Sequence, residues 1–476
     1  MTTTQPSSAE KTEPRPQQQL LHFALAAVIL SQGLHISGGF FNLDALCALT
    51  FSFFFCMTAV ARLYFPISEQ HCERLTLGVM ISGIVVQFGQ LLTRSPDVNI
   101  ALLYTDYLLY LLGVAFAGIL AIAIVIFRPE FRRFGFPILL VTHFLLGVWI
   151  IRHSPNPQID VFVVQRDAAK ALLSGINPYT ITFPNIYEDS TPYYRQELVV
   201  AGRLMFGYVY PPLCLLLAIP GYLLGDVRYS NLIAITLGAA LLAYARPSRL
   251  SFLAAILFLF MPRVFFILAN CWTESFVVLL FALVLFIACR KPRLTPIAFG
   301  LLLAVKQHLF LCIPLATLIC SRGQRRKDVS SFLMRAVLVS LAVSLPLILW
   351  NTQAFIDYAV LMMFGQLFRT TSLNYAVFWA LSTGQVPSTL IGFLILLPIY
   401  VLILHRSLRT PAGFAGSVAL LYFAFFLFGR QAFINYYYFV FAALCGAVAT
   451  FSLSTNTESV ATPSSTDGLE NTHRKA

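Results

Sequence analysis

Two carboxylates seven residues apart stand in the most informative stretch of this chain, Asp160 and Asp167 in IDVFVVQRDAAKALLSGINPY, which a polar, aromatic insert connects to YVYPPL. If VFVVQRDAAKALLSG is helical, that spacing puts both carboxylates on roughly one face, about two turns or ~10 Å apart. Asp160 then stands at the helix N-terminus, where the macrodipole favours its charged form. A carboxylate there can serve as a helix cap. Facing a cavity within hydrogen-bond reach of a substrate hydroxyl, it can instead act as a general base.

Lys306, Gln307 and His308 form the second constellation, at the centre of the apolar run Thr295–Cys320 with Pro296, Gly300 and Pro314 around them. A lysine at membrane depth is costly unless it faces water or an anion, and a phosphate or pyrophosphate headgroup is a natural partner; snorkelling to the interface is the bland alternative. Arg430, followed by Gln431 and Asn435, offers a second cation, and Glu274 in ANCWTES a further carboxylate. Tyr179 and Tyr210 belong to an aromatic set that includes Tyr187, Tyr193, Tyr194 and Tyr208. Interfacial belts account for most such rings, while a minority can stack on sugars. Arg369 is one more charged residue expected on this side. The sequence has no phosphate-binding glycine loop, zinc-protease pair or Ser-His-Asp arrangement, and no metal is expected at the site.

The elements that must position these residues are membrane spans. The chain is 58% hydrophobic and 11% charged with a mean hydropathy of +0.78, and its apolar runs repeatedly reach the roughly 18–20 residues that cross a bilayer. The net charge of +12 is spread over short basic clusters between spans, as the positive-inside bias predicts, so no nucleic-acid partner is indicated. The cysteines lie mostly in apolar runs without metal-type spacing.

Five spans precede the large loop, about Leu20–Gly38, Ala45–Tyr64, Leu75–Leu92, Ala101–Phe127 and Phe136–Ile151. The first is read as a retained helix rather than a signal peptide. With a cytoplasmic N-terminus, Arg62/Arg74 and Arg128/Arg132/Arg133 fall inside and the loop after Ile151 is extracytoplasmic. Keeping the later clusters inside requires two interruptions. Pro211–Leu224, short and opened by two prolines, becomes a re-entrant or interfacial helix, and Thr295–Cys320 becomes two segments meeting at Lys306.

These residues resemble the GT-C superfamily of polytopic glycosyltransferases, most closely glycosyltransferase family 87. The likeness rests on Asp160 with ALLSGINPY, on YPPL at Tyr210–Leu213 and on AVKQH around Lys306. It implies an all-α, GT-C-like bundle of about 12–14 transmembrane segments with a large extracytoplasmic loop carrying short helices. With the resemblance covering about Phe136–Thr450, the expected organisation is a disordered cytoplasmic N-terminus (1–19), N-terminal spans (20–133), a catalytic module (134–451) with its loop at 152–228, and a disordered cytoplasmic tail (452–476).

The activity it implies is inverting transfer of a sugar, mannose being the expected one, from a polyprenyl-phosphate donor to a lipid-linked or cell-envelope acceptor. The donor is a substrate, and no cofactor is expected. Asp160 takes the role of catalytic base, and Lys306 and Arg430 contact the donor phosphate. Asp167, Tyr179, Tyr210, Glu274 and His308 complete the expected substrate-binding set. Val164 stands where the family carries an aromatic residue. The rival readings are a lipid-linked-sugar transporter and a catalytically silent scaffold of the same fold.

Overall fold

A computed structural model describes residues 16–94, 96, 104–127, 129–187, 193–320 and 326–452. Residues 1–15 and 453–476 of the tails expected to be disordered, and the basic residues Arg128, Arg322 and Arg325, lie outside the described residues; residues 16–19, expected in the disordered N-terminus, are instead helical, with Gln18 and Gln19 buried.

Five long helices come first: α1 (Pro16–Ser37), α2 (Leu43–Ala61), α3 (Glu69–Thr93), α4 (Tyr104–Ile126) and α5 (Pro129–His153). Their starts are written locally, since the side chains of Asn42 and Ser68 accept the backbone N–H of Ala45 and His71. The large loop then contributes α6 (Asp160–Leu173) and three two-residue antiparallel strands, β1 (Phe183–Pro184), β2 (Val199–Val200) and β3 (Arg203–Leu204), in the order β1-β3-β2.

Next, α7 (Pro212–Leu223) starts on the prolines of YPP and meets α8 (Arg228–Ala245) at a bend of 109°, so the two do not form one straight span. A break at Met261–Arg263 separates α9 (Arg249–Leu259) from α10 (Val264–Ala269), and α11 (Glu274–Arg290) follows. The Thr295–Cys320 run is interrupted where the sequence requires it. α12 (Thr295–Leu303) ends, Lys306 is extended, and a 3-10 segment (Gln307–Leu315) leads into α13 (Ala316–Ile319).

After α14 (Arg326–Trp350) comes a connection with short helices of its own. It carries α15 (Thr352–Phe355), a π-helical turn (Ile356–Leu361), α16 (Met362–Phe364) and α17 (Tyr375–Thr383). Three apolar helices follow, α18 (Thr389–Arg406), α19 (Pro411–Leu427) and α20 (Ile434–Ala449).

Among the described residues, seven helices are long and apolar enough to cross a membrane, eight if the bent pair counts as one span, with shorter apolar helices besides. The molecule is an all-α polytopic membrane protein. One hydrophobic core runs from Leu20 in α1 to Ala449 in α20, and α1 and α2 pack on α20 and α19. A smaller core around Tyr179, Phe206, Tyr208, Leu215 and Ala359 ties the connecting segments to α6 and α7.

The bundle has two chemically different ends. The guanidinium of Arg290 donates to Tyr244 O at 2.9 and 3.1 Å. Arg246 bonds Cys289, and Arg249 lies within electrostatic reach of Arg132. These basic clusters therefore meet at one end. The 17 residues of α11 span roughly 25 Å at 1.5 Å per residue, which places Glu274 at the opposite end.

Candidate active site

Asp160 is the first residue of α6, and Ile159, which has no capping side chain, is its N-cap. The carboxylate Oδ1 accepts the Val161 N–H at 2.8 Å and the Tyr187 hydroxyl at 3.4 Å. Oδ2 accepts the Tyr194 hydroxyl. Tyr187 also accepts the Asp160 N–H at 3.3 Å. The half-buried carboxylate is thus turned toward the tyrosines of the insert. Burial first, and then the Asp160 charge, pushes the phenols of Tyr187 and Tyr194 well above the usual tyrosine range, so both remain proton donors.

NPY and YVYPP brace one another. Asn177 Oδ1 accepts the Tyr179 N–H at 2.9 Å, setting a 3-10 turn on Pro178. Pro178 O accepts the Tyr208 N–H at 3.0 Å, and the Tyr179 hydroxyl donates to Tyr210 O at 2.9 Å. Gly207 is required here, because a Cβ would lie 2.0 Å from Tyr179 O. Tyr179 is fully buried, so its hydroxyl supports Tyr210. The Tyr210 phenol is raised by burial and then by the charges of Asp160 and Glu274, which puts both carboxylates within electrostatic reach of one ring.

Lys306 reaches the same ring. Its extended backbone (φ −152°, ψ 142°) sends Nζ to Thr273 Oγ1 at 2.8 Å and to Glu274 Oε1. Nζ also lies 5.4 Å from the Tyr210 ring centroid and 5.8 Å from that of Tyr436. The charges of Asp160, Glu274 and Arg369 all act on Tyr436. Glu274 Oε2 is buried and has no hydrogen-bond partner among the described residues. The next residue faces the loop, where Gln307 Nε2 donates to Val209 O at 2.7 Å and to Ala359 O at 2.8 Å. The helix break therefore pins the start of α11, the YPP turn and the π-helical turn to one another.

Asp160, Tyr210, Glu274 and Lys306 converge at the end of the bundle away from the basic clusters. Two other expected residues do not join them. Asp167 bonds Arg166 at 2.8 Å, and the His308 ring packs among Tyr422, Phe425 and Phe426 of α19. Arg430 has a buried Nε without a hydrogen-bond partner among the described residues, and its Cζ lies 6.0 Å from the Phe368 ring.

Sequence reasoning missed Arg228. Completely buried, it pairs with Asp226 at 2.6 Å and donates to Ser154 O at 2.8 Å, Ser154 Oγ at 2.9 Å and Ile151 O at 3.3 Å. It also lies 5.1 Å from the ring of Phe162, in the first turn of α6. It thereby fixes the end of α5 and the start of α6, and so the placement of Asp160. The available signal was the Asp226–Arg228 spacing just ahead of an apolar span.

Protein-family models, curated proteins and solved structures contain no match to this chain. Among the described residues, no group of three or more His, Cys, Asp or Glu could hold a metal ion.

Proposed function

We propose that the protein is an integral-membrane inverting glycosyltransferase that moves a sugar, mannose in the first instance, from a polyprenyl-phosphate donor to a lipid-linked or cell-envelope acceptor. The observation that carries this reading is the Asp160 carboxylate, held by Tyr187 and Tyr194 beside the Tyr210 ring, with Glu274 and Lys306 beyond it. A carboxylate oriented by phenols at the edge of a membrane-embedded polar cluster suits an acceptor hydroxyl that arrives from outside and a lipid donor that arrives from the bilayer.

In the proposed step, Asp160 takes the acceptor proton as the acceptor oxygen bonds to the sugar's anomeric carbon. The bond from that carbon to the phosphate oxygen breaks, with inversion, and the polyprenyl phosphate leaves with the electron pair. Cations beside the departing phosphate stabilise its charge. The positive-inside rule places the basic end in the cytoplasm, and with it both termini, which makes the site extracytoplasmic in a multi-pass protein of the cell membrane.

The buried Lys306–Glu274 pair at a helix break is also what a transporter of lipid-linked sugars would use. Purified protein in lipid, given radiolabelled polyprenyl-phosphate mannose and a total lipid extract, separates the readings. Wild type transfers label, and Asp160→Asn loses about 10²-fold or more of that rate. Wild-type rates in Asp160→Asn remove Asp160 from the mechanism. Transport of the donor with no glycosidic product, for mannose and for other donor sugars alike, replaces the enzyme reading with the transporter.

A further inference from the structure

We infer that Arg132 and Arg249, at the basic end of the bundle and away from Asp160, form a headgroup site for an anionic phospholipid whose phosphodiester ties the α4–α5 turn to the α8–α9 turn.

Ring contacts fix where the two arginines stand. Phe136 of α5 and Phe252 of α9 pack edge to face, with centroids 5.1 Å apart. Tyr244, near the end of α8, completes a trio at 5.9 Å from Phe136 and 5.7 Å from Phe252. Both α5 and α9 begin at this end, and Arg132 and Arg249 each stand one turn before the stacked ring of their own helix. The two guanidinium groups therefore lie side by side beyond the same ring pair.

This juxtaposition has no counter-ion of its own. The charge of Arg249 acts on Arg132, and that of Glu130 acts on it less strongly. None of Arg132, Arg246, Arg249 and Arg290 takes part in an ion pair among the described residues. Three of them bond to neutral groups instead: Arg132 Nε donates to Ile124 O at 3.2 Å, Arg290 to Tyr244 O, and Arg246 bonds the Cys289 thiol. Such bonds orient a guanidinium without cancelling its charge. The bond from Arg132 to the last turn of α4 occupies Nε and leaves both terminal nitrogens as paired donors, the fork that matches two phosphate oxygens.

The surroundings favour a lipid over a soluble anion. Ile126, Phe127 and Phe134 are exposed beside Arg132, an apolar shelf that acyl chains cover once the phosphate is at headgroup height. A soluble anion would use the arginines alone, whereas a phospholipid uses the arginines and the shelf together. A zwitterionic headgroup would bring its ammonium against Arg246 and Arg290 as well, so net negative charge is favoured.

The inference does not depend on the glycosyltransfer reading, and its test involves no turnover. Full-length protein in a zwitterionic detergent is titrated with phosphatidylglycerol, with phosphatidylcholine and with glycerol phosphate, and lipid-bound protein is counted by native mass spectrometry. Arg132→Gln and Arg249→Gln each weaken phosphatidylglycerol about 5-fold and together about 25-fold, the scale of one arginine at an anionic surface taken once and twice. Phosphatidylcholine binds more weakly than phosphatidylglycerol, and the variants leave its binding unchanged. Arg406→Gln/Arg409→Gln removes the same charge at the α18–α19 turn and keeps the wild-type affinity. Equal thermal midpoints without lipid show that the variants fold, and phosphatidylglycerol then raises the midpoint of wild type but not that of Arg132→Gln/Arg249→Gln. Unchanged affinity in that double variant overturns the inference. Equal loss in Arg406→Gln/Arg409→Gln overturns it in favour of a general basic surface, and displacement of the lipid by equimolar glycerol phosphate overturns it in favour of a site for soluble phosphate esters.

Discussion

Lys306 and Glu274 stand 32 residues apart in the chain and meet as a buried ion pair, the lysine at a break in its span and the glutamate at the first turn of α11. Two isolated charges at this depth would each be costly, and joined they hold the break against α11 while Gln307 holds it against the outer segments.

Breaking that pair from one side should cost more than removing it. Lys306→Met leaves the Glu274 carboxylate buried without its cation and should destabilise the protein by about 3–5 kcal/mol, whereas Lys306→Met/Glu274→Met should recover much of the loss. Unfolding midpoints in lipid or mild detergent measure both. A double variant as unstable as the single would mean that the pair does not control the stability of this region.

Alkaline pH should loosen the outer loop through Tyr187 and Tyr194. Their phenols are raised, first by burial and then by the Asp160 charge, so the folded protein retains protons that unfolded tyrosines lose near pH 10. The sign follows directly: this contribution is complete below about pH 10 and is lost as pH rises toward the folded values. Tyr194→Phe should flatten the fall in thermal midpoint above about pH 10; a slope equal to wild type would rule out Tyr194 as its source.

The mutual bracing of NPY and YPP can be tested at two points. Gly207→Ala puts a methyl group 2.0 Å from Tyr179 O, an overlap that backbone must relieve, at a cost of about 1–3 kcal/mol. Tyr179→Phe leaves Tyr210 O without its 2.9 Å donor, which costs about 1–3 kcal/mol. Both should make the outer loop more sensitive to protease while sparing the spans, and cleavage at wild-type rates in both would contradict the brace.

Much of the fold was legible in the sequence because membrane burial writes itself into composition. The apolar runs correspond to the helices, the paired prolines of YPP to the start of α7, and Lys306 with its flanking Gly and Pro to the interruption of Thr295–Cys320. The structured Asn351–Pro387 connection was less visible, since its short helices are stabilised by contacts with distant segments, as when Ala359 O accepts from Gln307. The site was legible as a set of residue types. Asp160, Glu274, Lys306 and Tyr210 do converge, but spacing could not show that Asp167 turns to Arg166 or that His308 packs into α19.

By itself the sequence determined that this is a polytopic helical membrane protein with its unusual polar residues at the end away from the basic clusters, because hydropathy and charge bias are properties of segments. Only the tertiary structure decided which polar group answers which. Whether Lys306 meets a ligand or Glu274, and whether Arg369 lies on Tyr193 or in solvent, depends on residues far apart in the chain being brought within a few ångströms, and side-chain electrostatics at that range has no local signature.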